Sequence, residues 1–303
     1  MNLKQFRYVL MLADQGSFSK AAEELNISQP SLSQYVRKIE NDLGVSLFDR
    51  SGSTLRLTDA GKAYLEAGRG ILEIERRMKN EFADLNDCRT GTIVIGVSPH
   101  RSICILPPAV AGFKRLYPGV KLVIDERVGQ ELLEKAEKGE YDLCITTLPV
   151  DEQIFEYELV RRDDCVLMVP AGSALDKKLS GIAKAGSGLY PCVDFAQLNG
   201  CDFIMLSENQ VMQKLLDDVC RKTGVTLNPA VVCRSLEAEF ALVREGVGPA
   251  LLPSYMLKSD CSSISCYGLK QDIPAREIVV CRRRNYTPTK AVRDFIEIFK
   301  TYR

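Results

Sequence analysis

The sequence predicts two domains of different fold class joined by one long helix. The N-terminal domain is all-α with a small β-hairpin, and the C-terminal domain is α/β with two similar halves. A chain of 303 residues exceeds the usual size of one hydrophobic core. The N-terminal residues repeat apolar side chains at short helical spacings, whereas later in the chain short apolar runs alternate with helical segments. We place the domain limits at 1–58, 59–89 and 90–303.

The composition indicates a globular protein without a disulfide framework. Hydrophobic residues make up 46% of the chain, and 40 basic residues balance 40 acidic ones, so bulk charge indicates no nucleic acid, membrane or acidic substrate. The 11 cysteines include no C-x-x-C pair, which is typical of reduced thiols. The sequence contains neither a long apolar run nor a cleavable leader pattern. We therefore expect a soluble, cytoplasmic protein without a membrane partner.

Three helices are predicted at the N-terminus. Gly16 ends the first, the second covers about residues 19–25, and a turn at Asn26 leads to the third. Ser28 can cap the third helix by accepting a backbone hydrogen bond, and Gly44 can end it. The inner stripe of this helix consists of Leu32, Val36, Ile39 and Leu43.

Polar side chains cover the other face of the third helix. Short hydrogen-bonding groups stand near its start and cations follow, as in a recognition helix whose first turn enters the major groove. Glutamine can pair bidentately with an adenine edge, and the cations can reach phosphates. A solvated helix face is the alternative, but two short helices around a tight turn favour DNA binding. The predicted DNA-facing residues of this helix are Gln29, Pro30, Ser31, Ser33, Gln34, Arg37 and Lys38.

A β-hairpin is predicted directly after the third helix. A Ser-Gly-Ser turn separates two short alternating segments within residues 47–58. A hairpin at this place is typical of the wing of a winged helix-turn-helix domain. We expect Arg50, Ser53, Thr54 and Arg56 to contact the DNA backbone, which would position the domain without reading sequence.

Four short motifs lie within residues 18–65. They are Ala-Ala at 21–22, Ser-Gln-Pro at 28–30, Leu-Gly-Val-Ser-Leu-Phe at 43–48 and Leu-Thr-Asp-Ala-Gly at 57–61. On these motifs the segment resembles the N-terminal domain of the LysR-type transcriptional regulators. The resemblance implies a sequence-specific DNA-binding regulator of transcription. Gln34 stands where many members carry Arg, so the base preference of those members at this position does not carry over.

A long helix is predicted from Thr58 to about residue 88. Apolar side chains recur in it at alternating spacings of four and three residues, which indicates a seam for a partner helix. Packing against the chain's own second domain is the alternative. A second copy is favoured because one chain would bury so long and charged a helix poorly. The predicted dimerisation residues are Tyr64, Ala67, Ile71, Ile74, Met78 and Phe82.

A dimer would carry two recognition helices about one turn of DNA apart, or a multiple of it. We therefore predict a pseudo-palindromic operator in double-stranded DNA. The resemblance to LysR-type regulators also implies a small-molecule effector, association of dimers into a homotetramer, and RNA polymerase as a further partner.

The C-terminal domain is predicted to consist of two α/β lobes. By the same resemblance it is similar to periplasmic binding proteins, in which the chain enters the second lobe and returns to the first. We expect lobe I at about 90–161 and 268–303, and lobe II at about 162–267. Ligands of such domains lie beyond the carboxyl ends of the strands, between the lobes.

Hydroxyl groups and a cation follow the predicted strands at these ends. Together they suit a carboxylate or another anion, although each residue alone is more often a helix cap or a loop residue. The predicted effector-binding residues are Ser98, Pro99, His100, Arg101, Ser102, Thr146, Thr147, Asp194 and Ser207.

Other classes of function find little support in the sequence. The single histidine, His100, rules out a multi-histidine metal site, and residues 246–248 lack the third glycine of a dinucleotide fingerprint. We therefore predict no catalytic residue, no metal and no cofactor. An enzyme would have to pair His100 with a serine or cysteine. A solute-binding protein of a transport system is a further alternative, but it would need export and would leave residues 1–58 unexplained.

Overall fold

The computed structural model describes residues 2–50, 55–85, 90–185, 189–208, 210–257, 262–271, 273 and 275–302. The N-terminal domain contains three helices and one hairpin. They are α1 (Leu3–Gln15), α2 (Phe18–Glu24), α3 (Gln29–Leu43), β1 (Phe48–Asp49) and β2 (Arg56–Leu57).

Local capping explains where these helices begin and end. The Asn2 side chain accepts a hydrogen bond from the backbone N–H of Gln5, and Gly16 ends α1 in the left-handed conformation, at φ 59°. Ser28 caps α3 by accepting from the N–H of Ser31, and Gly44 ends it at φ 69°. The helices enclose a small core of their own, to which α1, α2 and α3 all contribute.

The long helix α4 (Asp59–Leu85) starts inside this domain. The Thr58 hydroxyl caps it by accepting from the N–H of Gly61, at 3.0 Å. Tyr64 is buried and its ring lies 5.0 Å from that of Phe6 in α1. The prediction that Tyr64 belongs to a dimer seam is therefore wrong, because α1 packs on the first turns of α4 and covers it.

The rest of α4 has two different faces. The charged face docks on the chain's own C-terminal domain, where Arg69 pairs with Glu140 at 3.3 Å and Arg76 pairs with Asp142 at 3.2 Å. The opposite face carries an exposed apolar stripe that consists of Ile71, Ile74, Met78 and Phe82. One face of α4 thus packs against the chain's own C-terminal domain, which was the alternative to a dimer seam. The apolar residues predicted for the seam remain exposed on the other face.

Strands and helices alternate through the C-terminal domain. The strands are β3 (Thr90–Val97), β4 (Gly119–Glu126), β5 (Leu143–Thr147), β6 (Phe155–Asp163), β7 (Cys165–Pro170), β8 (Cys192–Val193), β9 (Asp202–Leu206), β10 (Asn228–Cys233), β11 (Ala250–Pro253), β12 (Ile264–Leu269) and β13 (Arg276–Arg283). The helices are α5 (Pro99–Cys104), α6 (Leu106–Leu116), α7 (Gly129–Glu137), α8 (Ala174–Ile182), α9 (Val211–Thr223), α10 (Leu236–Arg244) and α11 (Lys290–Thr301), with 3-10 turns at Phe195–Leu198 and Ser254–Met256.

Lobe I contains a five-stranded sheet in the order β4-β3-β5-β13-β6. β3 runs parallel to β4 and β5, whereas β13 runs antiparallel to β5 and β6. On one side of the sheet α6 and α11 pack together, with the rings of Phe113 and Phe295 5.3 Å apart. Lobe I is therefore assembled from two separate stretches of the chain.

Lobe II contains the four-stranded sheet β11-β7-β12-β8 and the parallel pair β9-β10. The pair continues the sheet, because the N–H of Ile204 in β9 donates to the carbonyl of Pro249 beside β11, at 2.9 Å. All six residues of β7 are buried, as expected for a strand covered on both faces.

The chain crosses between the lobes slightly later than predicted. β6 pairs with β13 as far as Asp163, and β12 still pairs with β8 at Leu269. The crossings therefore lie at Asp164 and between Leu269 and Arg276, and not at the predicted limits. Both strands are extended by pairing with a distant partner, which a local pattern does not reveal. Among the described helices, none has the length and apolar character needed to cross a membrane.

Candidate DNA interface and effector cleft

The third helix exposes the predicted polar face. Leu32, Val36 and Ile39 are buried in the core of the N-terminal domain. Ser33 is half-buried, and the hydroxyl of Ser31 lies 2.7 Å from that of Ser28 in the helix cap. The exposed members of the predicted set are Gln29, Pro30, Ser31, Gln34, Arg37 and Lys38.

Glu40, which the sequence did not bring to attention, ties α3 to the wing. Its Oε1 accepts from the N–H groups of Leu47 and Phe48, at 2.8 and 3.2 Å, and its Oε2 pairs with Arg50 at 2.8 Å. The Arg50 guanidinium also lies over the ring of Phe18, 5.1 Å from its centroid. Arg50 is thus held in one orientation with 32% of its side chain exposed.

The wing forms a short antiparallel hairpin. Phe48 pairs with Leu57 and Asp49 with Arg56, and the Arg56 side chain is exposed. The other two predicted wing contacts, Ser53 and Thr54, lie outside the described residues.

Three of the predicted effector residues meet in the cleft between the lobes. Arg101 is only 4% exposed, and its Nη1 donates to the hydroxyl of Ser98 at 3.0 Å. His100 Nε2 lies 3.4 Å from the same hydroxyl. The imidazole ring stacks on the ring of Tyr255 from lobe II, with 6.0 Å between centroids. His100 is therefore a contact between the lobes and not part of an exposed loop.

Residues from distant parts of the chain complete this group. The Arg161 guanidinium lies 5.9 Å from the centroid of the Tyr255 ring, and Arg276 Nη1 lies 3.1 Å from the sulfur of Met212. Asp163 Oδ1 accepts from the hydroxyl of Ser254 at 3.0 Å and from the N–H of Tyr255 at 3.4 Å. The sequence offered no local motif for these residues, because β6, β13 and a 3-10 turn bring them together only in the folded chain.

Burial controls the charge state of the group. It lowers the pKa of His100 from 6.5 to about 2, helped by Arg101 and Arg276, so the ring is neutral. Burial also lowers the pKa of Arg101 to about 10, which leaves the guanidinium charged at neutral pH. The pKa of Asp163 is raised by burial, and the nearby Arg276 opposes this rise.

A cavity of about 190 Å³ opens beside Arg276. Thr147, at the end of β5, lines it together with apolar side chains of α9. Thr146 is buried at 8% exposure, and side chains alternate along a strand, so it points to the opposite face of the sheet. The lining residues are Thr147, Leu148, Val211, Met212, Leu215, Ala275, Arg276 and Glu277.

The remaining predicted effector residues have mainly local roles. Asp194 caps a 3-10 turn by accepting from the N–H of Ala196 at 3.0 Å, and it accepts from the side chain of Gln271 at 2.9 Å. These hydrogen bonds lower its pKa. Ser207 is half-buried after β9. Pro99 and Ser102 belong to the short helix α5 and are half-buried too. In the parts of the chain that the structure describes, no three metal-binding side chains cluster.

The fold and the two sites together define a DNA-binding regulator that carries a two-lobed ligand-binding domain. The comparison with known families agrees. Residues 3–62 match the family described as "Bacterial regulatory helix-turn-helix protein, lysR family", and residues 87–303 match the LysR substrate binding domain. The chain belongs to the LysR family of DNA-binding transcription regulators.

Individual relatives resemble the chain over almost its full length. An uncharacterized HTH-type transcriptional regulator of Bacillus subtilis, YcgK, is 27% identical over 98% of this chain and 94% of its own length. The hydrogen peroxide-inducible genes activator of Haemophilus influenzae is 25% identical over 93% of this chain and 91% of its own length.

Solved structures share the fold of the whole chain. A full-length variant of OxyR from Pseudomonas aeruginosa superposes with a TM-score of 0.71 at 23% identity, covering 100% of this chain and 99% of that one. Full-length CbnR in complex with its target DNA superposes with a TM-score of 0.67 at 20% identity, covering 100% of both chains. The two-domain architecture with its linker helix is therefore that of full-length regulators of this class.

Proposed function

We propose that this regulator reads its operator with the exposed face of α3. The observation that carries the proposal is the segregation of that helix into a buried apolar stripe and an exposed polar face with two cations towards its end. Gln29, Gln34 and their neighbours then face base edges. The contacts of Arg37, Lys38, Arg50, Ser53, Thr54 and Arg56 are with phosphates.

The chain then works as a homodimer, and two dimers pair into a tetramer. The dimer forms along the exposed apolar stripe of α4, which would otherwise leave large hydrophobic side chains in water. Two recognition helices placed in this way match a pseudo-palindromic operator. The full-length CbnR relative is bound to its target DNA, which supports the same use of this architecture here. RNA polymerase is the further partner through which the bound protein changes transcription.

The cleft between the lobes then holds a small-molecule effector. Ser98, His100, Arg101 and Thr147 are the predicted residues that support this site best, because they approach the space between the lobes from lobe I. An effector acts by binding one arrangement of the oligomer more tightly than another, which shifts the population between them.

The protein regulates without catalysis, in the cytoplasm, where the DNA of a bacterial regulator lies. An enzyme would depend on the pair of Ser98 and His100. The hydroxyl in this pair already accepts from Arg101, and a histidine with a pKa of about 2 is too weak a base to activate it at neutral pH. The neutral, stacked imidazole suits a binding site better.

The test of DNA recognition is binding of the purified protein to the DNA upstream of its own gene, across a salt series. Unrelated DNA of equal length is the control for non-specific binding. We expect sequence-selective, salt-sensitive binding that Arg37→Ala weakens and reduces in salt dependence. Arg221→Ala, an exposed cation in lobe II, is the matched control and leaves affinity unchanged. Equal affinity for both DNAs at every salt concentration would contradict the proposal for that locus.

A further inference from the structure

A group of cations lies where the chain crosses between the lobes. We call Arg101, Arg161, Arg276, Tyr255 and Asp163 the hinge cluster. Arg101 comes from α5, Arg161 from β6 and Arg276 from β13, all in lobe I, whereas Tyr255 comes from lobe II. Asp163 ends the strand from which the chain enters lobe II. The cluster therefore spans both lobes.

The positive charge of the hinge cluster is not balanced within the described chain. Three guanidinium groups face one carboxyl group, Asp163, and burial raises the pKa of that carboxyl. Other arginines of lobe I do pair, such as Arg162 with Glu277 and Arg282 with Glu158, both at 3.0 Å. Among the described residues, no carboxylate forms a salt bridge with any of the three guanidinium groups of the cluster. Arg101 is buried, and Arg161 and Arg276 are half-buried. Buried charges are normally paired.

Several donors in the cluster also have no acceptor. In the described structure the Nε groups of Arg101, Arg161 and Arg276 have no hydrogen-bond partner. The hydroxyl of Tyr255, on a side chain that is 8% exposed, has none either. Buried polar groups in native proteins nearly always have a partner. A ligand with several acceptor oxygens and negative charge would supply what is missing.

We propose that the hinge cluster binds a small organic dianion, either a dicarboxylate or a phosphate monoester. Two negative charges match the excess of two cations, and guanidinium groups bind both kinds of anion bidentately. The short carbon body lies in the neighbouring cavity of about 190 Å³, between Thr147 and the apolar side chains of α9. Glu277 lines the same cavity and repels anions, so the acidic groups of the ligand point away from it, towards Arg276.

The ligand joins the two lobes. Its acidic groups contact guanidiniums of lobe I and the Tyr255 hydroxyl of lobe II, next to the turn at which Asp163 fixes the chain crossing. This inference rests on the proposed function in that it places the effector within the same cleft. It adds the class of ligand and three contact residues, Arg161, Tyr255 and Arg276, that the sequence did not indicate.

The experiment is thermal unfolding of the full-length protein at constant ionic strength. The probes are inorganic phosphate, which stands for a phosphate monoester, and succinate, which stands for a dicarboxylate, with sodium chloride as the reference. We expect one of the two anions to raise Tm by about 3–5 °C at ten times its Kd. The anion that raises Tm shows whether the ligand is a phosphate monoester or a dicarboxylate.

Variants inside and outside the cluster are compared. Arg161→Gln, like Arg276→Gln, abolishes the shift caused by the anion. Arg221→Gln removes the same charge from an exposed position of α9, where neither Arg221 nor its partner Asp218 lines the cavity, and keeps the full shift. Equal shifts in all variants, or no shift above chloride in the wild type, would overturn the inference.

A second measurement does not depend on the choice of anion. Without added anion, Arg161→Gln raises Tm, because it removes one of several uncompensated cations, and Arg282→Gln, which breaks ion pairs, lowers it. A lower Tm for Arg161→Gln would mean that its charge is already balanced and would overturn the inference.

Operator binding by the same proteins is measured in parallel. A regulator that binds its operator but shows no anion response refutes the hinge site alone, whereas loss of operator binding with an intact anion response refutes the DNA proposal.

Discussion

Glu239 is a carboxyl group buried in lobe II without an ion pair among the described residues. It is 2% exposed, its Oε2 has no hydrogen bond, and burial raises its pKa from 4.5 to about 8. At neutral pH the folded protein therefore holds a proton here that the unfolded chain has released. Between pH 4.5 and about 8 the folded state binds more protons, so the free energy of unfolding falls as pH rises through this window.

We predict that Glu239→Gln removes this part of the pH dependence. Glutamine keeps the size of the side chain and has no proton to lose, so the variant should be more stable than the wild type above pH 8, by on the order of 5 kcal/mol. At pH 4.5 and below the two proteins should be equally stable. Urea unfolding across this pH range measures the difference. Glu245→Gln, at the exposed position that directly follows α10, the helix that contains Glu239, should follow the wild type. Parallel pH profiles for wild type and Glu239→Gln would show that the carboxyl is not protonated in the fold.

Sequence reasoning at the scale of residues succeeded where neighbours in the chain are neighbours in space. The exposed face of α3 follows from helical periodicity, and Ser98, His100 and Arg101 lie within one turn of each other. Arg161 and Arg276 were missed because only strand pairing brings them together. Tyr64 was assigned to the wrong interface for the same reason. Its spacing fits the seam, but α1 covers that turn of the helix.

At the scale of elements, strongly periodic segments were predictable, among them the edge strand β4, whereas β6 and the inner strand β12 were not. The strands β3, β5 and β7 each contain a short apolar run, and the helices α9 and α11 have clear apolar stripes. β6 was missed because it is an edge strand in which buried and exposed residues mix, with charges throughout. β8, with only two residues, gives no pattern at all. Where a strand owes its existence to a distant partner, its own sequence carries little information.

The apolar stripe of α4 leads to the prediction for an element. Ile74 is 65% exposed, on the helix face opposite the charged face that docks on lobe I. If this stripe is the dimer seam, Ile74→Lys places two charges at its centre and weakens dimerisation by about a thousandfold, since two interface residues of roughly 2 kcal/mol each are lost. Sedimentation velocity over a concentration series measures this. Glu66→Lys, at an exposed position of the same helix, adds the same side chain and should leave the dimer intact. A dimer of unchanged affinity with Ile74→Lys would place the interface elsewhere.

At the scale of the whole molecule, one buried carboxylate connects the linker helix to the ligand-binding lobe. The side chain of Asp142 is 0% exposed and pairs with Arg76 of α4 at 3.2 Å. It also accepts from the N–H of Val94 in β3 and from the hydroxyl of Tyr286, both at 2.8 Å. β5 begins at the next residue and ends at Thr147, which lines the cavity between the lobes. A single buried strand thus runs from the attachment of the linker to the candidate effector site.

We predict that Arg76→Met detaches the linker helix from lobe I without unfolding either domain. The substitution leaves Asp142 with its two neutral donors but without a cation. This should lower the free energy of unfolding of lobe I by about 2–4 kcal/mol. The loss is smaller than for an ion pair in which both side chains are buried, because 21% of the Arg76 side chain is exposed. Hydrogen exchange should become faster in α4 around residues 69–79 and in the loop at 139–142, while exchange in α1–α3 stays unchanged. Arg77→Met is the matched control, because it removes the same charge one residue later on α4, where no residue that the structure describes in the C-terminal domain forms a salt bridge with the arginine. If exchange in α4 stays as slow in Arg76→Met as in this control, the pairs of Arg69 with Glu140 and of Glu73 with Arg283 hold the helix on their own. Coupling between the cleft and the DNA-binding domain would then have to pass through those two pairs instead of through Asp142.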